Sequence, residues 1–501
     1  MQELHTPLEA AQWLRARVVG TLRSDSRKVQ PGDGFIAWPG AAMDARRFVP
    51  AALQQGAACL VERDGADVFQ FSGERIASYR GLKTDTGVIA AAFFDHPSQA
   101  LQLVAVTGTN GKTSSTWWLA QALSALPGIQ ALPCGVVGTL GVGRPDASVL
   151  STGLTTPDPV VLQSTLRQFV GDGLRACAVE ASSIGIEEHR LDGTQIQVAV
   201  FTNLTQDHLD YHGDMQAYWQ SKLRLFGWPG LASAVVNVDD PYGAELVKVL
   251  GGAAVDVWSV SCQQKGARLQ ARAITYDHQG LRFEVVEGNA VHVLQTRTIG
   301  EYNVSNLLGV LGAMRALGVP LQAAILACGA LEPVPGRMEC LGGVGAPLVV
   351  VDYAHTPDAL GQALAALRPL ATQRGGRLWC VFGCGGDRDT TKRPLMGAIA
   401  SQRADRVVVT SDNPRYEKPE AIVAQILLGL SQSKTVDVQT DRALAIADAI
   451  ARAEPADVVL LAGKGHEAIQ VVAGVQQPFS DRDHAVLALG RRPIGSREVC
   501  A

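Results

Sequence analysis

The stretch LQLVAVTGTNGKTSS, residues 101–115, decides the fold of the middle of this chain. The run LQLVAV is short and almost continuously apolar, as expected for a parallel strand that is buried on both faces. A glycine-rich turn follows, and the periodic stretch TWWLAQALSAL (116–126) predicts a helix. Strand, turn and helix in this order indicate an α/β domain built around a parallel sheet.

The turn from Gly108 to Thr113 has the chemistry of a phosphate-binding loop. Its glycines allow backbone N–H groups to point at phosphate oxygens, and the helix N-terminus adds positive potential. Lys112 can reach terminal phosphates, and Thr113 can bind magnesium. Val106 stands where the full eight-residue pattern would have its first glycine. The alternative is a glycine-rich turn without a ligand.

Other polar motifs follow strands predicted at 176–180, 198–202 and 234–238. AVEASS (178–183) ends a strand in Glu180, and TNLTQDHLDYHG (202–213) contains two His and two Asp. A carboxylate at a strand end beside a phosphate loop is a natural metal ligand, but taken alone Glu180 favours a solvated strand end. The His/Asp cluster taken alone is equally consistent with helix capping in a surface loop. Spacing alone favours a solvated position for Lys222 on an amphipathic helix.

In the last third of the chain, strands again alternate with helices. Four polar loops follow predicted strands, at 351–360 (VDYAHTPDAL), 383–389 (GCGGDRD), 411–415 (SDNPR) and 462–467 (AGKGHE). This pattern predicts a doubly wound sheet whose loops form one site at the carboxyl ends of the strands.

The flanking segments predict three α/β domains. The first hundred residues mix short strands, helices and turns, and DHPSQ (95–99) is a candidate linker. Alternating residues at 262–298 favour antiparallel strands, and the Gly/Pro-rich LEPVPGRMECLGG suggests a boundary and hinge near 333–337. The predicted domains are 1–98, 99–336 and 337–501.

Composition excludes several classes of protein. Of 501 residues, 47% are hydrophobic and 18% charged, and the net charge is −4. These values argue against a disordered chain and against general nucleic-acid binding. The sequence predicts neither a membrane span nor a signal peptide. Nine scattered cysteines suggest no disulfide framework, so we expect a cytoplasmic protein, and a monomer.

The motifs GTNGKT, VEASS, DHLDYHG, GEYNVSN, PGRME and DYAHTPD together resemble the Mur ligase family, the ATP-dependent amino-acid-adding enzymes of peptidoglycan synthesis. The resemblance covers essentially the whole chain. It implies a UDP-substrate domain, a central P-loop-type ATPase domain and a Rossmann-like C-terminal domain that binds the incoming amino acid. ATP and Mg²⁺ are the implied cofactors. The implied reaction adds meso-2,6-diaminopimelate to UDP-N-acetylmuramoyl-L-alanyl-D-glutamate through an acyl phosphate.

The resemblance also assigns residues to each part of the site. For ATP it implies Gly108, Thr109, Asn110, Gly111, Lys112, Thr113, Ser114, Asn303, Asn306, Arg337 and Asp352. For the UDP-linked substrate it implies Ser24, Ser26, Thr155, Thr156, Ser182, Glu188 and Arg190, with the loop 40–44 nearby. Glu188 stands where many relatives have Gln. For the metal it implies Thr113, Glu180, His208 and carbamylated Lys222, so the catalytic set is Lys112, Lys222, His208 and Glu180.

The amino-acid site is assigned to Arg388, Asp412, Asn413, Pro414, Arg415, Gly463 and Glu467. Arg415 offers a planar fork for the distal carboxylate of diaminopimelate, and Glu467 can accept from the distal ammonium. The alternative for Arg415 is a helix cap or a pair with Glu417. Alternatives for the whole chain are a lysine-adding relative, a folylpolyglutamate synthase and a non-catalytic nucleotide-binding module. A nicotinamide oxidoreductase fits poorly, because Lys-Thr follows the central turn.

Overall fold

The computed structural model describes residues 1–40, 43–263, 265–277, 280–342, 345–430 and 436–492. Ala41 and Ala42, in the loop 40–44, therefore lie outside the described residues. Contacts divide the chain into two compact units, and the domain boundaries predicted at 98/99 and 336/337 remain predictions. The first unit comprises Met1–Leu204, Asp214–Gln270 and Leu308–Cys328, and the second comprises Thr205–Gly213, Ala271–Leu307 and Gly329–Ala501.

The first unit begins with a five-stranded parallel sheet of order β1-β5-β4-β3-β2. The strands are β1 Gln2–Leu4, β2 Leu22–Arg23, β3 Gly34–Ala37, β4 Ala58–Glu62 and β5 Ile76–Tyr79. The helices are α1 Pro7–Arg15, α2 Val49–Gln54 and α3 Leu82–Phe93. The segment predicted as a linker contains the short 3-10 helix Pro97–Ala100, in which Pro97 and Ser98 are buried.

A second sheet of the same unit carries the phosphate-binding motif. Its order is β13-β12-β11-β6-β10-β7-β8-β9, parallel from β13 to β7 and antiparallel from β7 to β9. The strands are β6 Gln102–Thr107, β7 Cys134–Gly138, β8 Gly141–Gly143, β9 Val149–Leu150, β10 Ala176–Glu180, β11 Val198–Phe201, β12 Ser233–Asn237 and β13 Asp256–Ser261. The helices are α4 Lys112–Ser124, α5 Pro159–Gly171, α6 Ser183–Glu187, α8 Met215–Leu223 and α9 Pro241–Leu250.

The register of this sheet brings three strand ends together. Glu180 of β10 pairs with Val106 of β6, and Phe201 of β11 pairs with Thr107. The polar segments after these strands therefore leave the sheet at one edge, as the sequence predicts. The strands are buried on both faces, so the apolar run of β6 has no alternation.

The segment 262–298 differs in part from its prediction. Strand β14 (Leu269–Asp277) starts parallel to β13, with Leu269 opposite Val260. Antiparallel pairing is confirmed for the hairpin of β15 (Gly280–Glu287) and β16 (Ala290–Thr296). Alternating residues indicate one exposed face but not strand direction, so the error at β14 has a simple cause. Helices α10 Tyr302–Ala316 and α11 Leu321–Gly329 follow, and α7 Leu209–His212 precedes this segment in the chain.

The end of the second unit contains the predicted doubly wound sheet. Its order is β17-β18-β22-β19-β20-β21, parallel except for β17. The strands are β17 Glu339–Leu341, β18 Leu348–Asp352, β19 Leu378–Phe382, β20 Arg406–Val409, β21 Val436–Val438 and β22 Val458–Ala462, and a separate hairpin pairs β23 Ile469–Val472 with β24 Val475–Pro478. The helices are α12 Pro357–Arg374, α13 Lys392–Arg403, α14 Pro419–Leu427, α15 Arg442–Arg452 and α16 Asp481–Gly490.

The four loops predicted to share a site do leave one edge of this sheet. Ala462 of β22 is opposite both Asp352 of β18 and Phe382 of β19, and Phe382 is opposite Val409 of β20. Apolar clusters lie between the sheet and its helices. Within the described part of the chain, none of the helices has both the length and the apolar character needed to cross a membrane.

Candidate active site

The phosphate loop is anchored to the strand beside it. Gly108 has a φ of 148°, and a Cβ at this position would overlap Oγ1 of Thr202. Thr109 N–H donates to the carbonyl of Asn203, Asn110 N–H donates to Asn203 Oδ1, and Oγ1 of Thr202 donates to the carbonyl of Asn110, at 2.9, 2.9 and 2.6 Å. The loop therefore has a fixed backbone at the N-terminus of α4, as an anion-binding loop requires.

Two lysines converge on this loop. Lys112 Nζ donates to the carbonyls of Gly108 and Thr109, both at 2.8 Å. Lys222 Nζ, from α8, donates to the same Gly108 carbonyl at 2.9 Å and lies 4.4 Å from the ring centroid of Tyr218. Lys222 is only 1% exposed, so the solvated-lysine alternative is wrong.

The carboxylate of Glu180 faces the start of α4. Its Oε2 accepts from Oγ1 of Thr113 and from Oγ1 of Thr139, both at 3.0 Å, and its Oε1 accepts from Thr139 N–H at 2.8 Å. A side chain at Gly138 would overlap Glu180 Oε1. Thr139 also contacts Thr155, with 3.1 Å between their hydroxyls. Glu180 is 1% exposed, which excludes the solvated strand end.

Sequence reasoning did not identify Thr139. The available signal was its position: Thr139 is the polar residue directly after strand β7, which ends at Gly138. The structure shows it to be a main partner of the Glu180 carboxylate.

The residues predicted to hold the substrate form a second polar cluster around the end of β10. Thr156 Oγ1 donates to the carbonyl of Glu180 at 2.7 Å and lies 3.0 Å from Ser182 Oγ. Ser182 accepts from Gly185 N–H and caps α6. Arg190 Nη1 donates to the carbonyl of Thr156 at 3.1 Å. The structure therefore places Thr156, Ser182 and Arg190 in one polar cluster, and their role in binding substrate stays a prediction.

Three other predicted substrate residues lie elsewhere in the first unit. Glu188 is paired with Lys83 of α3, with 2.6 Å between Oε2 and Nζ. Ser24 Oγ donates to Oδ1 of Asp158 at 2.9 Å, and Asp158 caps α5. Ser26 begins a short 3-10 helix. Glu188 thus forms an ion pair with Lys83. A glutamine at this position is uncharged and would not form one.

The predicted metal ligands are distributed over both units. Thr113, Glu180 and Lys222 belong to the first unit, and His208 belongs to the segment Thr205–Gly213 of the second. His208 has a φ of 54°, and its Nε2 lies 3.5 Å from Oδ2 of Asp207. Among the described residues, no group of three or more His, Cys, Asp or Glu side chains has metal-site geometry. The paired oxygens of Thr113 and Glu180 do fit the oxygen preference of Mg²⁺.

In the second unit, the two predicted asparagines lie one turn apart at the start of α10. Asn306 Nδ2 donates to Oδ1 of Asn303 at 2.9 Å, and Asn303 Nδ2 donates to the carbonyl of Ile299 at 2.6 Å. Both are buried. The pair therefore forms one continuous amide network on a single helix face.

Arg337 and Asp352 lie beside an aromatic cluster of the same unit. The Arg337 guanidinium is 4.5 Å from the ring centroid of Tyr353, and the Tyr353 and His466 rings are 5.3 Å apart. Asp352 Oδ2 accepts from Met338 N–H at 2.8 Å. Burial raises the pKa of Asp352, and the Arg337 charge opposes this rise. Burial lowers the pKa of His466 to about 4, so its imidazole is neutral at pH 7.

The loops after β20 and β22 are joined by a charged network. Lys464 Nζ, which is fully buried, donates to Asn413 Oδ1 at 3.0 Å and to Glu467 Oε2 at 2.8 Å. Asn413 Nδ2 also donates to Glu467 Oε2 at 2.8 Å. Gly463 has a φ of 117°, and a Cβ there would lie 2.6 Å from Asp412 Oδ2. Lys464 is a residue that sequence reasoning missed, although it stands inside the GKGHE motif.

Arg415 does not pair with Glu417. Arg415 Nη1 donates to the carbonyl of Gly386 at 2.7 Å. Glu417 instead binds the buried Arg393 through two hydrogen bonds of 2.8 Å, and Arg393 holds its pKa at about 2. Arg388 is exposed in the loop 383–391. The alternative of an Arg415–Glu417 pair is therefore wrong, because Arg393 takes the carboxylate.

Comparison with known proteins identifies the family to which this chain is similar. The family model described as the Mur ligase middle domain matches residues 106–314, and that described as the Mur ligase, glutamate ligase domain matches residues 336–465. A curated relative from Acidovorax sp. is 61% identical over 98% of this chain and 99% of its own length.

The chain belongs to the Mur ligase family.

Two curated relatives and one solved structure within the Mur ligase family have the same name. The Acidovorax relative and one from Ralstonia nicotianae, 47% identical over 97% of this chain and 96% of its own length, are both called UDP-N-acetylmuramoyl-L-alanyl-D-glutamate--2,6-diaminopimelate ligase. A solved structure of a protein with that name is 35% identical, with a TM-score of 0.65 over 94% of each chain. The family resemblance inferred from the motifs is thus confirmed.

More distant solved structures show the Mur ligase fold alone. A folylpolyglutamate synthase from Mycobacterium tuberculosis is 18% identical, with a TM-score of 0.60, and its match covers 76% of this chain and 92% of that chain.

Proposed function

We propose that this chain is an ATP-dependent ligase that joins meso-2,6-diaminopimelate to UDP-N-acetylmuramoyl-L-alanyl-D-glutamate. The observation that carries the proposal is the full-length similarity to ligases of that name, together with a phosphate loop of the required chemistry. Mg²⁺ and ATP are the proposed cofactors. We assign the UDP-linked substrate to domain 1–98, ATP to domain 99–336 and the amino acid to domain 337–501.

The first step activates a carboxylate. A free carboxylate is a poor acceptor for an amine, so its oxygen attacks the γ-phosphate of ATP and ADP leaves as the acyl phosphate forms. The backbone N–H groups of residues 108–113 and the Lys112 ammonium stabilise the charge on the transferred group. Thr113 and Glu180 would hold Mg²⁺, which supplies Lewis-acid stabilisation of phosphoryl oxygens when bound. His208 and carbamylated Lys222 complete the proposed ligand set.

Carbamylation of Lys222 has a physical rationale in the loop. Lys222 and Lys112 donate to one carbonyl oxygen, that of Gly108, so two ammonium groups are held close together. Like charges at short range in a buried site are unfavourable. The Lys222 ammonium first loses a proton, and the neutral amine then adds to CO₂ and releases a second proton. The side chain thereby changes from a cation to a carbamate anion. The repulsion with Lys112 then becomes an attraction, and oxygen ligands replace a nitrogen donor.

The second step forms the amide. The amine of the amino acid attacks the acyl carbon, and the tetrahedral intermediate releases phosphate. Arg415 is the proposed partner of the distal carboxylate of diaminopimelate, and Glu467 of the distal ammonium. The contacts to the uridine part are assigned to Ser24 and Ser26. The contacts to the sugar and peptide are assigned to Thr155, Thr156, Ser182, Glu188 and Arg190. The segment 333–337 remains the proposed hinge for excluding water from the acyl phosphate.

The test is ADP release from ATP with UDP-N-acetylmuramoyl-L-alanyl-D-glutamate and a panel of amino acids. We expect meso-diaminopimelate to give the highest kcat/KM, with L-lysine far below it. Equal use of L-lysine would assign the chain to the lysine-adding members of the family. ADP release with a folate substrate, and none with the UDP-linked one, would support the synthase alternative instead.

A further inference from the structure

A fully buried ion pair lies beneath the proposed amino-acid site and is not part of it. Arg442, the first residue of α15, and Asp481, the first residue of α16, are both without exposed side-chain surface. Arg442 Nε donates to Asp481 Oδ1 at 2.7 Å, and Nη2 donates to Oδ2 at 2.6 Å. This is the bidentate geometry in which a guanidinium and a carboxylate bind most strongly.

The same guanidinium also joins two strand ends. Arg442 Nη1 donates to the carbonyl of Ser411 at 3.1 Å, and Nη2 donates to the carbonyl of Ala462 at 2.9 Å. Ser411 directly precedes Asp412 of the loop after β20, and Ala462 directly precedes Gly463 of the loop after β22. This planar group thus adds a buried connection between the two loops proposed to bind the amino acid, beneath the contacts that Lys464 and Glu467 make with Asn413.

A second contact strengthens the connection to the first of these loops. Ser411 Oγ donates to the carbonyl of Thr440, two residues before Arg442, at 2.7 Å. Burial acts to lower the pKa of Arg442, while the carboxylates of Asp481, Asp412 and Glu467 raise it, and the net shift is upward. Arg442 therefore remains charged near carboxylates of both loops.

We propose that Arg442, oriented by Asp481, is a positioning residue that fixes the distance between Arg415 and Glu467 and so helps to select the amino acid. An amino acid with two charged groups at its distal end requires its two protein partners at a fixed separation. A rigid fork bonded to both strand ends supplies that separation before binding. The proposal rests on the proposed function of the loops as the amino-acid subsite.

The test compares two pairs of variants in the full-length protein. Arg442→Lys keeps the charge but loses the fork, and Asp481→Asn keeps Arg442 but weakens its orientation. Arg374→Lys is the control for Arg442, because Arg374 donates to the carbonyls of Ala346, Pro455 and Ala456 at the opposite edge of the sheet. Asp457→Asn is the control for Asp481, because Asp457 is a buried carboxylate at that opposite edge.

Steady-state kinetics and amide hydrogen exchange supply the readouts. We expect both test variants to raise the KM for meso-diaminopimelate by about tenfold or more, with the KM for ATP changed by less than about twofold. In the ligand-free protein, the amides of Arg415 and Val471 should exchange faster, since Arg415 N–H donates to the carbonyl of Val471 and Val471 N–H donates to Oδ1 of Asn413. Asp457→Asn should lower thermal stability without either effect, and Arg374→Lys, at an exposed position, should show neither effect.

Three outcomes would overturn the inference. One is an unchanged KM for diaminopimelate in Arg442→Lys, and another is unchanged amide exchange in both loops. A third is an equal rise in the KM for diaminopimelate in the controls, because this would indicate a general loss of stability. If the wild-type protein releases no ADP with diaminopimelate but Arg442→Lys still accelerates loop exchange, the proposed substrate is wrong while the mechanical link between the loops stands.

Discussion

The carboxyl edges of the central and C-terminal sheets hold their charged groups in different ways. At the central edge, Lys112 and Lys222 donate to backbone carbonyls, and Glu180 accepts from hydroxyl and N–H groups. At the C-terminal edge, Lys464 pairs with the carboxylate of Glu467, whereas Arg415 donates to the carbonyl of Gly386. The central edge thus places the Lys112 ammonium at a loop suited to polyphosphate, whereas the C-terminal edge places cations beside a carboxylate, which suits a ligand that carries charges of both signs.

Because of this difference, we expect the two edges to respond differently to mutation. Loss of the Lys112 ammonium at the central edge removes a positive charge that stabilises the negative charge developing during phosphoryl transfer. Loss of Lys464 or Arg393 at the C-terminal edge would leave the carboxylate of Glu467 or Glu417 without its cation and would lower stability. Loss of Arg415 would instead remove the proposed partner of the ligand's distal carboxylate and change specificity.

The largest effect is expected for Lys112→Ala. The barrier to phosphoryl transfer should rise by about 3–4 kcal/mol or more, which would nearly abolish turnover while the fold remains intact. ADP release and circular dichroism of the variant are the measurements. Lys248→Ala, an exposed lysine on α9, is the control and should retain wild-type turnover. Near wild-type activity of Lys112→Ala would remove the phosphate-loop assignment.

Lys222→Ala sharpens the central side of the comparison. We expect a loss of activity comparable in order to that of Lys112→Ala, with partial recovery on addition of formate or acetate as a substitute carboxylate. Intact mass spectrometry of the native protein, or density at Nζ, should show an added CO₂. An active variant without any additive would mean that this buried lysine only supports the Gly108 carbonyl.

Arg415→Ala tests the C-terminal side. Because Arg415 is the proposed partner of the distal carboxylate, the preference for meso-diaminopimelate over L-lysine should fall by about 10–1,000-fold in kcat/KM. The KM for ATP should change little. Lys418→Ala removes an exposed cation from the same loop and should preserve the preference. Unchanged discrimination in Arg415→Ala would assign the distal carboxylate to another group, with Arg388 as the next candidate.

The smallest effect concerns stability against pH. Arg393 depresses the pKa of Glu417 from 4.5 to about 2, so this ion pair contributes its full stability above pH 4.5 and loses it as the pH falls towards 2. Glu417→Gln should therefore be less stable than the wild type by about 1–3 kcal/mol at pH 7. The difference in unfolding free energy, measured with denaturant, should shrink between pH 4.5 and pH 3. A constant difference across this range would point to packing instead of charge.

Much of the fold is predictable because local patterns specify it. The apolar run of β6, the glycines at 108 and 111 and the helix after them are local features, and the structure confirms them. The strand-end loops of the last third follow from the alternation of strands and helices, and the parallel register then places them at one edge. The order of the motifs was also sufficient to identify the Mur ligase family.

What the tertiary structure decided is which side chains share an environment. Spacing alone made Lys222 a solvated lysine and left Arg415 open to pairing with Glu417, and both alternatives are wrong. Thr139, Arg393 and Arg442 carry no distinctive local pattern, and the GKGHE motif around Lys464 does not show that this lysine is buried against Asn413. Their roles depend on partners that are distant in the chain: Glu417 is 24 residues from Arg393, and Asn413 is 51 residues from Lys464. Periodicity determines elements over a few turns, whereas burial and pairing of charge are properties of the folded whole.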